Sequence, residues 1–216
     1  MLYVLLANLP VAISTFLYAL SYKQIKGPAK WLAWFVFLTS GVQLLSGLLA
    51  NLGTPNLFVL HFYVPIGGGL LIFFYREVLM GYIKDAVFFG AVGILLTGSL
   101  INTLFWQPLA AFNSIGLSVE CVVIVILALG TFIISVNHEF YKKHQAFITH
   151  LNWINSGLFL YFSGNLLLFY FGHELLWALS INVKTWIIHG ILSTTMHIAF
   201  WIGEWRRPKN MHFSSR

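Results

Sequence analysis

The sequence predicts an all-α integral membrane protein: a bundle of seven transmembrane helices with the N-terminus outside, the C-terminus cytoplasmic and a kinked third helix. Three observations carry this. The 216 residues are 59% hydrophobic and only 8% charged, whereas soluble domains carry about 25% charged residues, so water is not the solvent for most of the surface. Seven stretches approach the roughly 20 mostly apolar residues that a spanning helix needs. The basic residues, finally, are very unevenly shared between the two sets of loops. Lys23, Lys26, Lys30, Arg76, Lys84, Lys142, Lys143, Arg206, Arg207, Lys209 and Arg216 fall on one side and Lys184 alone on the other. Basic loops stay in the cytoplasm, which sets the orientation.

The spans follow in order. The first, 2–21, lacks the basic start and small-residue cleavage pattern of a signal peptide and reads as a retained helix. A Gly-Pro pair at 27–28 precedes the second, 31–50, and Thr-Pro-Asn at 54–56 precedes the third, 57–80. The fourth, 86–106, ends at Gln107-Pro108; the fifth is 114–136, and a charged stretch at 137–145 leads to the sixth, 149–171, and the seventh, 182–204. What remains leaves no room for a soluble domain, so 1–216 reads as one membrane domain. Internal repeats of the kind that build many transporters are missing. Tyr22, Trp31, Tyr82, Trp106, Tyr170, Trp177, Trp186, Trp201 and Trp205 lie near span ends, where interfacial aromatics belong. The lone cysteine, Cys121, permits no disulfide within the chain and reads as a small packing residue.

The third span contains HFYVPIGGGLLIFFYREV, residues 61–78. Pro65 lacks the N–H that would bond the carbonyl four residues earlier, which belongs to His61. At 100° per residue His61, Pro65, Gly68, Ile72 and Arg76 share a face. Pro65, Gly67, Gly68 and Gly69 are therefore hinge candidates between an outer histidine and an inner arginine. The alternative is a small-residue strip for close helix packing.

Polar residues at membrane depth are costly and usually face the bundle interior. Gln43, His61, Asn102, Glu120, Asn165 and His189 come from six helices, each roughly 5 to 12 Å below the outer surface at 1.5 Å per residue. They form the candidate ligand-binding layer; the bland reading is interhelical hydrogen-bond glue. Glu120, two turns inside an apolar helix, either carries a proton or has a cationic, metal or histidine partner. On the last helix Asn182, Trp186, His189, Ser193, His197, Phe200 and Glu204 fall in one sector, a polar stripe that should face protein or water. Nearer the cytoplasm Arg76, Glu77, Asn152, Asn155 and His197, with His150, make an inner polar cluster. For Arg76 and Glu77 the alternative is an ion pair snorkelling to the headgroups.

His61, Glu120 and His189 are the residues able to supply three ligands to a metal, and His61 with His189 is the best outer pair for haem. No HExxH or HxxxH pair supports either cofactor, and His189 and His197 lie eight residues apart, on the order of 12 Å along the axis. The chain departs there from seven-helix zinc hydrolases of the ceramidase and adiponectin-receptor kind, and it lacks the mid-helix lysine of retinal proteins. The cofactor stays unknown, as does the presence of any metal.

The stretches NTLFWQPLAAFNSIGLSVE (102–120), WINSGLFLYFSGNLLLFYFG (153–172) and the HGILSTTMHIAFWIGEW ending resemble a group of small, chiefly uncharacterised seven-span bacterial membrane proteins often encoded beside sensor histidine kinases. The resemblance implies membrane sensing and supplies no catalytic residue. The functional expectation is a receptor-like sensor in a bacterial inner membrane. Its outer-half polar pocket takes a small or lipidic ligand, and it signals to a separate partner such as a histidine kinase. The basic inner surface suits anionic lipid, and nothing points to nucleic acid. The competing readings are a transporter or channel along the polar stripe of the last helix, its third helix broken, and a metal- or haem-binding enzyme at His61, Glu120 and His189. An enzyme is the less favoured class.

Overall fold

The computed structural model describes the backbone of residues 2–136, 138–175 and 179–207, and the side chains of 8–136, 147–170 and 185–207. Those residues form seven α-helices and no strand: α1 Leu2–Ser21, α2 Pro28–Asn51, α3 Phe58–Val78, α4 Asp85–Ile101, α5 Ser114–Ser135, α6 His138–Leu175 and α7 Leu179–Trp205. Among the described residues five segments are long and apolar enough to cross a membrane, namely Pro28–Asn51, Phe58–Val78, Asp85–Trp106, Ser114–Ser135 and Thr185–Trp205. That is the pattern of a multi-pass membrane protein. The expected spans at 2–21 and 149–171 lie partly outside the described side chains. Helix α6 begins well before its expected span, within the charged stretch that the sequence assigns to a loop.

Local chemistry explains the boundaries. Pro28 opens α2 at its first turn, where its missing N–H costs nothing. Gly53, at φ 66°, closes α2 in a left-handed cap, with Thr54 N–H donating to Leu49 O at 2.9 Å and Gly53 N–H to Ala50 O at 3.1 Å. After Ile101 the chain widens into a π-helical turn, Asn102–Trp106, in which Gln107 N–H reaches Asn102 O at 2.7 Å. Asn113 caps α5 by accepting from Gly116 N–H at 3.2 Å.

Consecutive helices pack as neighbours. α7 returns to α1, α3 packs on α5, and α4 lies against α3 and α5. Helix α3 is the most enclosed of the five apolar segments, with Val64, Leu71, Ile72, Phe74 and Tyr75 all buried. It runs unbroken through Pro65 and the three glycines. The break in the third helix that the sequence suggested is therefore not formed. A Cβ at Gly68 would stand 3.1 Å from Leu95 and 3.3 Å from Glu120, so α4 and α5 close on α3 where its side chains vanish. Helices α6 and α7 approach as tightly at Gly157 and Gly203, where a Cβ would lie 2.8 Å from Ala199 and from Ile154 respectively. Outward faces carry large apolar side chains, such as Phe62, Leu104, Ile133 and Leu167, as lipid requires.

Candidate functional site

The outer polar residues divide into three parts. His61 is buried on α3 with both ring nitrogens engaged: Nδ1 lies 2.8 Å from Thr103 Oγ1 and Nε2 3.1 Å from Ala111 O. A carbonyl only accepts, so Nε2 donates to Ala111 O, while Nδ1 faces the Thr103 hydroxyl, which itself donates to Ser99 O at 2.9 Å. Asn102 Nδ2 donates to Gln107 Oε1 at 3.1 Å and Asn113 Oδ1 at 2.8 Å. Gln107 Nε2 donates to Ser114 Oγ at 2.7 Å, and Asn113 Nδ2 reaches Leu60 O at 3.4 Å. The knot fastens the α4–α5 connection onto α3 beside its histidine. His61 and Asn102 are thereby spent on structure. Thr103, Gln107, Asn113 and Ser114 belong with them; the signal for the last two was an Asn-Ser pair just before an apolar run, a helix-start pattern.

Gln43 stands apart. It lies half-buried in the C-terminal half of α2, among exposed Leu44, Leu45 and Leu48, and among the described residues no hydrogen bond ties it to the others.

Glu120, Asn165 and His189 form the third part. Asn165 is fully buried and its amide is fixed: Nδ2 donates to Tyr161 O at 2.8 Å, and Oδ1 accepts from His189 Nδ1 at 2.7 Å. The proton of His189 therefore sits on Nδ1, and Nε2 presents its lone pair. Around the ring stand Trp186, Tyr161 and Phe169, with centroids at 5.6, 5.7 and 6.0 Å. Phe112 extends this wall toward Phe169 and Trp186.

Glu120 is 1% exposed, and its Oε1 has no hydrogen-bond partner among the described residues. It lies over the glycine strip, 3.3 Å from where a Cβ of Gly68 would stand and 3.7 Å from that of Gly67. Tyr63 borders the same strip, its ring 3.3 Å from where a Cβ of Gly67 would stand.

The metal reading loses its first ligand, since His61 has no nitrogen to give. Among the described residues no group of three His, Cys, Asp or Glu is gathered to hold an ion.

The expected inner cluster also separates. Arg76 does not pair with Glu77, because successive residues point about 100° apart on a helix. Arg76 bonds Asp85 twice, Nη2 to Oδ2 at 2.7 Å and Nε to Oδ1 at 3.0 Å, and stacks over Phe89. Glu77 Oε1 accepts from Trp31 Nε1 at 2.6 Å. Asn155, fully buried, accepts from Tyr75 Oη at 2.9 Å and donates to Ala128 O at 3.0 Å, pinning α6 to α3 and α5. His150 Nδ1 donates to Gly203 O at 2.7 Å. Asn152 lines a shallow groove with Thr149, Trp153 and Ser156.

The polar stripe of α7 faces the bundle at Ser193, His197 and Phe200, which are buried, whereas Trp186 is exposed; Asn182 lies outside the described side chains. Trp201 is more than an interfacial anchor: its indole donates to Ser14 Oγ at 2.6 Å, which also lies 2.8 Å from His197 Nδ1.

Comparison of the chain with protein-family models, with curated proteins and with solved structures finds no match.

Proposed function

We propose that the protein is a receptor-like membrane sensor. In this reading seven helices cross a bacterial inner membrane, with the N-terminus outside and the C-terminus cytoplasmic, as the basic-residue asymmetry favours. A small or lipidic ligand binds in the outer half against His189 and Glu120. The response passes along α3, whose Gly67 and Gly68 lie under Glu120, to a separate signalling partner such as a histidine kinase at the cytoplasmic face, with Pro65, Gly67, Gly68 and Gly69 as its hinge.

The observation that carries this is the preorganisation of His189. A merely structural histidine satisfies both nitrogens, as His61 does. His189 instead has Nδ1 tied to a fixed amide and its ring set among aromatic side chains, and on α5 the Glu120 carboxyl has an unpartnered oxygen over the glycine strip. Oriented polar groups in an apolar wall are the composition of a small-molecule site.

The test is identification of small molecules or lipids that co-purify with the protein, followed by Glu120→Gln and His189→Ala. Both variants should lose the bound molecule. Wild-type retention in both would leave only interhelical glue. A metal analysis and absorption spectrum of the same preparation address the cofactor reading, because bound haem would give a Soret band.

A second reading, transport along α7, draws on its bundle-facing stripe. Reconstituted protein that moves candidate ions or substrates across liposomes would favour it over sensing.

A further inference from the structure

The outward face of α6 changes character along its length. At 100° per residue Lys142, Thr149, Asn152, Trp153 and Ser156 fall on one side of the helix, and Leu160, Ser163 and Leu167 continue that side. The face is therefore basic at its start, polar and uncharged over the next turns, and apolar beyond, where Leu160 and Leu167 are 48% and 62% exposed. The uncharged turns carry a groove of about 230 Å³ lined by Thr149, Asn152, Trp153 and Ser156. Asn165, which fixes His189, lies about 20 Å further along the same helix.

The groove holds unused hydrogen-bonding capacity. Outward-facing hydroxyls elsewhere satisfy themselves within their own helix: Thr97 donates to Gly93 O at 2.7 Å, Ser163 to Phe159 O at 2.6 Å and Thr195 to Ile191 O at 2.9 Å. Ser156 makes no such bond, and neither its hydroxyl nor the Trp153 indole N–H has a partner among the described residues. Asn152 Oδ1 is enclosed without a partner, so the amide's remaining offer to the groove is its NH2 donor. Hydrocarbon satisfies none of these groups, and a groove whose free groups are chiefly donors selects a ligand rich in acceptors. Phosphate and ester oxygens are such acceptors. A lysine position about 10 Å from Thr149 toward the helix start favours negative charge there, and the exposed leucines on the other side favour an acyl chain. A glycerophospholipid carries these three parts in that order.

We propose that this groove is a binding site for one anionic glycerophospholipid. The phosphate and ester oxygens accept from Asn152, Trp153 and Ser156, the headgroup extends toward Lys142, and one acyl chain lies along Leu160 and Leu167. A basic membrane surface attracts anionic lipid without fixing its position; this groove adds uncharged donors at set places on a rigid helix, and an interfacial tryptophan among them. The site is independent of ligand binding at His189.

The experiment is native mass spectrometry of the full-length protein in neutral detergent, titrated with dioleoyl phosphatidylglycerol, dioleoyl phosphatidylcholine or glycerol phosphate. Phosphatidylglycerol should bind saturably, one per chain, and more tightly than phosphatidylcholine. Asn152→Leu removes the amide and Trp153→Phe keeps a ring while removing the N–H; each should weaken phosphatidylglycerol binding by about tenfold, the equivalent of one hydrogen bond to a charged group. Lys142→Gln should narrow the preference over phosphatidylcholine. Ser163→Leu, on the same face but outside the groove, should bind as the wild type does. Phosphatidylglycerol binding that neither Asn152→Leu nor Trp153→Phe changes overturns the site, and so does equal binding of the two lipids. Glycerol phosphate binding as tightly as the lipid overturns it too, because the ligand would then be soluble. Glu120→Gln and His189→Ala should leave phosphatidylglycerol binding unchanged, so failure of the sensor reading and failure of this site are told apart.

Discussion

Substituting Gly157 by Ala tests what holds α6 to α7. An added Cβ would lie 2.8 Å from Ala199 Cβ, 3.1 Å from Met196 O and 3.4 Å from Met196 Cα. Carbon atoms pack at about 3.5–4.0 Å, and two of these three neighbours are backbone, so no rotamer change relieves the overlap. The helices must part by roughly 1 Å at the crossing, which forfeits about a quarter to a half of each contact across the seam. At about 0.1–0.2 kcal/mol per atom pair and some tens of pairs, the loss is about 1–2 kcal/mol. In water the better helix propensity of alanine would return about 1 kcal/mol. In lipid the separated helices remain helical, so that gain largely cancels, and van der Waals packing is the chief attraction between helices. Gly164→Ala meets only the terminal atoms of Leu192, from 2.6 Å, and these are free to rotate away. Gly98→Ala meets nothing within 4 Å. Unfolding in mixed micelles should therefore rank Gly157→Ala least stable, Gly164→Ala intermediate and Gly98→Ala equal to wild type. Equal stability of Gly157→Ala and Gly98→Ala would refute the close-packing argument.

Other consequences are equally direct. Asn155→Ala should cost about 1–3 kcal/mol by orphaning Tyr75 Oη and Ala128 O; adding Tyr75→Phe should then cost less than it does alone, in a double-mutant cycle read by the same unfolding assay. Asn113→Ala removes the α5 cap and one acceptor for Asn102, and should lower stability by at least the roughly 1 kcal/mol typical of a lost cap. Asn165→Leu should free the His189 ring. The 15N shifts should then lose the single Nδ1–H tautomer expected for the wild type, and a wild-type tautomer ratio would show that Asn165 does not orient it.

The helices were legible because the demand of an apolar solvent is written residue by residue. Each of α2, α3, α5 and α7 lies within a few residues of its expected span. Helix α6 began early because a helix formed of charged and polar residues carries no apolar signal to mark its start. Of the polar residues singled out, His61, Asn102, Glu120, Asn155, Asn165 and His197 are buried, yet their partners were not legible. Gln43 and Glu120 looked alike in depth, but one is half-buried in the C-terminal half of α2 and the other is sealed against the Gly67–Gly68 strip. His61 and His189 looked like a matched pair, and one closes a loop while the other is aimed by an amide.

The sequence by itself determined the all-helical class, the apolar segments, the uneven distribution of basic residues and the face of α7 that turns inward. All of these follow from composition and from periodicity along one chain. Only the tertiary structure decided that Arg76 meets Asp85, that Asn165 orients His189, that Tyr75 is bound to Asn155, and that Ser14 meets His197. Those pairs are separated by as many as 183 residues, and a hydrogen bond depends on positions to within a few tenths of an ångström, which periodicity along a chain does not encode.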